Sequence, residues 1–295
     1  MSLLLFASVA GIALLGSFLA RAAERRLAAS VWSICIVVAA ASFITATIFS
    51  WTGNVPSPMP WSATVSSTSE PWQGLFGSLL LAVILLPSLN WLEAAHDAGR
   101  MWITMLLAAL CSMSSLPGGE AYQDVVPGNA FWSLAAVLST GLSCWSLRSL
   151  NGSGGGSLGL WILTAFTAAV SAVLLSCYGT LGESCAAVFA ATAAAAVVRS
   201  CSAQASWHTA WSVLPLFMST QLITHVRIYS STALPAYAAV LLFLFLPIVC
   251  GADRVFCGKA SLKKRTLLAA VLSGVLCMLI IVAIFVGGSG ETEAW

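Results

Sequence analysis

Long, uninterrupted runs of apolar residues recur along the chain, and they constrain its fold more than any other feature. A membrane-crossing helix needs about 20 mainly apolar residues, because the hydrocarbon core of a bilayer is about 30 Å thick. The runs are continuous and do not alternate with period two, so they predict helices and not the strands of a barrel. Ten runs meet this requirement: Ser2–Ala20, Ser30–Trp51, Gln73–Trp91, Met101–Leu116, Ala130–Leu147, Leu158–Leu181, Ser184–Val198, Trp207–Val226, Leu234–Ala252 and Thr266–Gly287.

The composition argues against the main classes of water-soluble protein. Of the 295 residues, 59% are hydrophobic and 7% are charged, whereas a soluble domain carries about a quarter charged residues. The 12 Lys and Arg side chains form no basic stripe that would neutralise phosphates, which argues against a nucleic-acid partner. We therefore predict an all-α, polytopic helical membrane bundle. It occupies residues 1–295 as a single integral membrane domain, with the lipid bilayer as its partner.

The basic residues predict how the chain is oriented in the membrane. Lys and Arg concentrate in the short cytoplasmic loops of membrane proteins. With ten crossings, every basic residue except Arg227 falls on one side, which we assign to the cytoplasm. Both termini are then expected on the non-cytoplasmic side. We expect the first run to be retained as a helix, because it lacks the basic segment that precedes a cleaved signal peptide.

Two segments between the runs define the expected organisation. The longest extramembrane loop, residues 52–72, contains four prolines and is expected to be a connector. Residues 148–157 are rich in Gly and Ser and predict a flexible central linker between the fifth and sixth runs. Five crossings on either side of this linker match the arithmetic of an inverted repeat, which is a common plan of transporters. A five-plus-five repeat is therefore a hypothesis based on the count alone.

Polar, uncharged residues close to prolines in the third and eighth runs are the best candidates for a solute-binding path. They are Ser88, Asn90, Thr220 and Gln221. Proline removes one helical hydrogen bond and frees a carbonyl group, which can line a polar cavity. Amides and hydroxyls also tie membrane helices together, so helix packing is the alternative role of these residues.

The densest group of ionisable residues lies between the third and fourth runs and comprises Glu93, His96, Asp97 and Arg100. Their spacing puts all four on one face if the segment is helical, and an interfacial ion-pair network is the simplest interpretation. The alternative is a catalytic site at the membrane interface. Carboxylate-bridged metal sites use the Glu-x-x-His spacing in pairs, and it occurs once in this cluster, so no metal or other cofactor is predicted.

The nine cysteines include no C-x-x-C motif, and most lie within the apolar runs. Cys177 and Cys185 flank the expected outer turn between the sixth and seventh runs, and a disulfide between them is a hypothesis for an oxidising compartment. The seventh run consists largely of small residues, which allow helices to approach closely, so we expect that helix to be central in the bundle.

The runs contain no Lys, Arg, Asp or Glu near their centres, which argues against a proton relay through the membrane. The leading hypothesis is therefore a carrier of a small neutral or weakly polar solute. The first alternative is a non-catalytic membrane subunit or scaffold that binds membrane-protein partners in a larger complex. The second is a membrane enzyme with its interfacial site between Glu93 and Arg100.

Overall fold

The structure is a computed structural model, and every secondary-structure element within the residues that it describes is a helix. The first three apolar runs and the loop of residues 52–72 lie outside the described residues. The count of ten crossings and the repeat therefore remain predictions. The structure describes Trp102, Leu106, several residues between 182 and 197, and the ranges 126–151, 156–177, 210–229, 234–257 and 260–288.

Five helices correspond to five of the predicted runs. Residues 148–151 and 156–157, at the two ends of the predicted linker, are helical, while residues 152–155 lie outside the described part of the chain. The helices are α1 (Val126–Asn151), α2 (Gly156–Cys177), α3 (Ala210–Tyr229), α4 (Ala236–Cys257) and α5 (Leu262–Gly288).

Four of these helices are long and apolar enough to cross a membrane, which indicates an integral membrane protein. Their apolar stretches are 18 to 24 residues long, close to the length that the hydrocarbon core requires. The stretch on α1 has the same limits as the predicted fifth run. The four stretches are Ala130–Leu147, Leu158–Ser176, Ala236–Cys257 and Leu262–Phe285.

Helix α1 is apolar on its exposed face and polar on its buried face, the reverse of a helix at the surface of a water-soluble protein. The exposed residues recur every three or four positions, so they form one stripe along the helix. Exposing such a stripe to water costs about 25 cal/mol per Å² of apolar surface, whereas a lipid environment removes that cost. The exposed stripe comprises Phe131, Leu134, Leu138, Leu142 and Trp145.

Helices α4 and α5 form an antiparallel hairpin that is fastened at both ends. At one end the hydroxyl of Tyr237 donates a hydrogen bond to the carbonyl oxygen of Ala283, at 2.8 Å. At the other end the Arg265 guanidinium binds the Asp253 carboxylate. Helix α4 also packs against α1 and α2, where the rings of Phe166 and Phe245 lie 5.8 Å apart.

Helix α3 is the most enclosed of the described helices. Every residue from 215 to 226 is buried, so no side of this stretch faces the lipid. The run Ser184–Val198, which we expect to be central, is described only in part; its described residues include one fully buried face, and Val197 is exposed. Its small residues favour a close approach on that face. The buried positions are Cys185, Val188, Thr192 and Ala196.

Candidate functional site

The middle of α3 places three consecutive polar residues in the interior of the bundle. Helix α3 has 20 residues, so it is about 30 Å long and Ser219, Thr220 and Gln221 lie close to its midpoint. Each of them is exposed by 1% or less. Polar side chains at this depth are costly in lipid, and their burial against other helices removes that contact.

A pair of threonine hydroxyls joins α3 to α1 at this level. The Oγ1 atoms of Thr140 and Thr220 lie 3.0 Å apart. Each oxygen also lies within hydrogen-bond distance of a carbonyl of its own helix, Ala136 for Thr140 and Phe217 for Thr220. A hydroxyl has one hydrogen and two lone pairs. One threonine therefore donates to the other, and the second donates to its own backbone.

A second hydroxyl of α1 compensates for a proline in α4. Pro247 has no N–H group, so the carbonyl of Phe243, four residues earlier, lacks its helical donor. The hydroxyl of Ser139 donates to that carbonyl oxygen at 2.9 Å. The contact joins α1 to α4 at the same depth at which Thr140 joins α1 to α3, so neighbouring positions of α1 hold two different helices.

Hydroxyl groups continue along the buried face of α1 in both directions from this point. From Ser133 to Ser146 the face extends about 20 Å at 1.5 Å per residue, or about two thirds of the hydrocarbon thickness. Ser133 Oγ has no hydrogen-bond partner among the described residues. We call this face the hydroxyl stripe; it comprises Ser133, Ser139, Thr140, Ser143 and Ser146, each at most 8% exposed.

Helix α2 adds a second polar wall, which surrounds the thiol of Cys185. Cys185 Sγ lies 3.9 Å from the carbonyl oxygen of Thr167, and the hydroxyls of Ser171 and Ser219 lie beside it. Cys185 is a free thiol in this structure, buried between α2 and α3. The side chain of Cys177 lies outside the described residues, so the hypothesised disulfide stays a prediction for an oxidising compartment.

The chemical character of this interior is that of uncharged hydrogen-bond acceptors. Most of the buried hydroxyls donate their single hydrogen to a carbonyl of their own helix, as Thr164 does to Leu160 and Ser171 to Thr167. Their lone pairs remain as acceptors. The amide of Gln221 adds both donors and acceptors, and His225 lies one turn away on the same helix, 5% exposed. Hydroxyl oxygens of this kind can accept hydrogen bonds from uncharged donor groups.

The structure brings two of the predicted solute-binding residues into this interior and leaves the remaining predictions untested. Thr220 and Gln221 are neighbours at the centre of α3. The other two solute-binding candidates and the whole ionisable cluster lie outside the described part of the chain. These residues are Ser88, Asn90, Glu93, His96, Asp97 and Arg100.

Sequence reasoning missed two contacts that the fold creates. The sequence contains one indication of the bond between Ser139 and the carbonyl of Phe243, which is Pro247. The position of this proline identifies the carbonyl that lacks a helical donor, but it does not identify the side chain that replaces the donor. The pair of Asp253 with Arg265 spans the turn between α4 and α5, and its two side chains are 0% and 5% exposed. Both contacts depend on how helices face one another, which hydropathy does not encode.

Within the residues that the structure describes, no three His, Cys, Asp or Glu side chains come together as a metal site. No protein-family model, curated protein or solved structure matches the chain.

Proposed function

We propose that this protein is a carrier of a small, uncharged, hydrogen-bonding solute, and that the solute moves along the hydroxyl stripe past the centre of α3. The observation that supports the proposal most is the burial of Thr140, Thr220 and Gln221 at mid-depth, between helices whose exposed faces are apolar. Carriers commonly bind their solutes near the bilayer midplane. Hydroxyls along most of the length of this interior offer acceptors at successive levels for a moving solute.

The proposal includes ten crossings, a five-plus-five inverted repeat and cytoplasmic basic loops. The distribution of cations within the described residues supports this orientation. Arg254, Lys263 and Lys264 lie with the Asp253–Arg265 pair at one end of the α4–α5 hairpin. Arg227 lies at the other end of α4, where it donates a hydrogen bond to the carbonyl oxygen of Leu234 at 3.1 Å. This separation of cations is the pattern that the positive-inside rule predicts.

The lining restricts the chemistry of the solute. Hydroxyls bonded to their own backbone offer acceptors, so the preferred solute carries N–H or O–H donors and no net charge. A buried hydroxyl without a partner, such as that of Ser133, costs about 1–3 kcal/mol. A water or a solute hydroxyl at this position would recover that free energy. Urea and small polyols have the required donors and are suitable probes.

The test is solute flux into proteoliposomes that contain the purified full-length chain. Stopped-flow light scattering under gradients of urea, glycerol or erythritol is expected to show faster swelling than in protein-free liposomes. Gln221→Leu and Thr220→Val are expected to lower the rate of the transported solute several-fold without loss of folding. Thr266→Val is the matched control, because its hydroxyl also donates to its own helix, at Leu262, but is exposed.

Equal rates with and without the protein for all three solutes would contradict the carrier proposal. Equal rates for Thr220→Val and Thr266→Val, with transport intact, would remove α3 from the path.

The second candidate is a non-catalytic subunit or scaffold, and the exposure of α5 favours it. Only 22% of the apolar stretch Leu262–Phe285 is buried, so a broad face is open to lipid or to another membrane protein. This candidate predicts that a partner copurifies with the chain in mild detergent and that proteoliposomes of the chain alone show no flux. A monodisperse protein that transports by itself would exclude it.

The third candidate, a membrane enzyme, depends entirely on Glu93, His96, Asp97 and Arg100. Its test is a double substitution of Glu93 and His96 by alanine. Loss of cellular function with an intact fold would support an interfacial catalytic site, and unchanged function would end the hypothesis.

A further inference from the structure

The exposed side of α5 carries a shallow apolar groove of about 430 Å³, which extends from Ala270 to Val282. Small residues form part of the groove, and the position that a Cβ atom would occupy on Gly274 has no atom within 4 Å. The groove is about 18 Å long at 1.5 Å per residue. One leaflet of the hydrocarbon core is about 15 Å thick, so a single acyl layer covers only part of the groove.

Two exposed lysines lie at the N-terminal end of α5, and helical periodicity places them on the side of the groove. Lys264 precedes Leu267 by three residues and Val271 by seven, which is the spacing of one helix face. Leu267 and Val271 are 67% and 54% exposed. Lys263 is also exposed, at the opposite margin of this face. Lys264 lies about 9 Å along the axis from Ala270, on the headgroup side of the groove.

Within the described residues, the positive charge at this end of the hairpin has no free carboxylate beside it. Residues 254–288 contain no Asp or Glu. The nearest carboxylate in the described sequence, that of Asp253, is fully buried and bound by Arg265 through two nitrogens. Lys263 and Lys264 form no ion pair within the described part of the chain. The two exposed ammonium groups are therefore suited to binding a phosphate group.

We propose that this face of α5 is a binding site for an anionic phospholipid of the leaflet that meets the basic end of the hairpin. The phosphate lies against Lys263 and Lys264, and one acyl chain enters the groove at Ala270 and reaches about to Gly274. Charge complementarity selects an anionic headgroup, and the apolar continuation of the same face selects a lipid over a free phosphate. The site is independent of the solute path, because α5 contributes it from the opposite side to its contact with α4.

The experiment is native mass spectrometry of the full-length chain in detergent, with phosphatidylglycerol or phosphatidylcholine carrying identical acyl chains. We expect phosphatidylglycerol adducts to survive at higher collision energy than phosphatidylcholine adducts. Lys264→Gln is expected to weaken phosphatidylglycerol binding about fivefold, since that is the effect of removing one basic residue near an anionic lipid surface. Arg254→Gln is the matched control, because it removes the same charge from the same end but lies on α4.

A second variant tests the acyl-chain part of the site without changing any charge. Gly274→Leu fills open space in the groove, and leucine is a better helix former than glycine, so the helix is preserved. It is expected to lower phosphatidylglycerol retention to a similar extent. Equal retention of the two lipids, or equal losses in Lys264→Gln and Arg254→Gln, would overturn the proposal. No effect of Gly274→Leu would also overturn it. Displacement of bound phosphatidylglycerol by inorganic phosphate would indicate an anion site without a lipid component and would overturn it as well.

Discussion

The hydroxyl of Ser139 in α1 occupies the place of a missing backbone donor in α4, because it bonds the carbonyl of Phe243 at 2.9 Å. Pro247 removed the N–H group that would otherwise satisfy this carbonyl. The helical hydrogen bond that α4 lacks is therefore replaced by a hydrogen bond between α1 and α4, close to the midpoint of both helices. The same turn of α1 holds α3 through the Thr140–Thr220 pair.

Removal of the Ser139 hydroxyl is expected to destabilise the bundle through this carbonyl. Ser139→Ala leaves the Phe243 oxygen without a donor, at a cost of about 1–2 kcal/mol. Pro247→Ala restores the helical donor, so Ser139→Ala is expected to cost much less in that background. Unfolding by a denaturing detergent, followed by tryptophan fluorescence, measures this double-mutant cycle. Ser133→Ala is the control, since its buried hydroxyl has no partner among the described residues. Additive effects of the two substitutions would show that the proline and the serine are not coupled.

Disruption of the buried ion pair at the end of the α4–α5 hairpin is expected to have the largest single effect on stability. Arg265 Nη2 lies 2.7 Å from Asp253 Oδ2, and both side chains are buried. Asp253→Ala leaves a buried cation uncompensated and is expected to cost about 3–5 kcal/mol. The double variant Asp253→Leu with Arg265→Met is expected to be less destabilised than the single variant. Thermal unfolding in detergent micelles checks the order, with exposed Arg254→Ala as the control; a single variant as stable as this control would contradict the assignment.

A cation–π contact at the opposite end of the bundle predicts a smaller coupling. The guanidinium carbon of Arg227 lies 5.1 Å from the ring centroid of Trp132, which joins α3 to α1. The expected coupling energy between Trp132→Leu and Arg227→Gln is about 0.5–2 kcal/mol. A double-mutant cycle on unfolding free energy isolates this interaction from the hydrogen bond of Arg227 with Leu234. A coupling energy of zero would mean that the ring serves only as a packing surface.

The sequence predicted the existence, type and approximate limits of the described helices, because the length of an apolar run follows directly from the thickness of the bilayer. The apolar stretch of α1 coincides with the predicted run. Helix α2 is described as far as Cys177, and the rest of its predicted run lies outside the described residues. The proline in the eighth run, Pro215, also led us to select Thr220 and Gln221 as candidates. Both residues are buried at the centre of α3.

The sequence did not predict which helix is the most enclosed or which residues pair across helices. Small residues suggested a central position for the segment 184–198, of which the structure describes only some residues. Within the described part of the chain, residues 215–226 of α3 are buried on every side. In lipid, apolar surface does not distinguish a buried face from an exposed one, because both environments are apolar. The polar face of α1 was the available signal: its hydroxyls recur at helical spacing opposite Leu138 and Leu142, and this pattern becomes informative once the helix is assigned to a membrane.

The most direct test of the whole account measures which environment each face of α1 meets. Spin labels are placed singly at Leu138, Leu142, Thr140 and Ser143 of a cysteine-free variant in nanodiscs, and their collision rates with oxygen and with a water-soluble nickel chelate are recorded. The account predicts high oxygen and low nickel accessibility at Leu138 and Leu142, and low oxygen accessibility at Thr140 and Ser143. High nickel accessibility at Leu138 and Leu142, or lipid exposure of Thr140 and Ser143, would contradict a membrane bundle with a hydroxyl-lined interior.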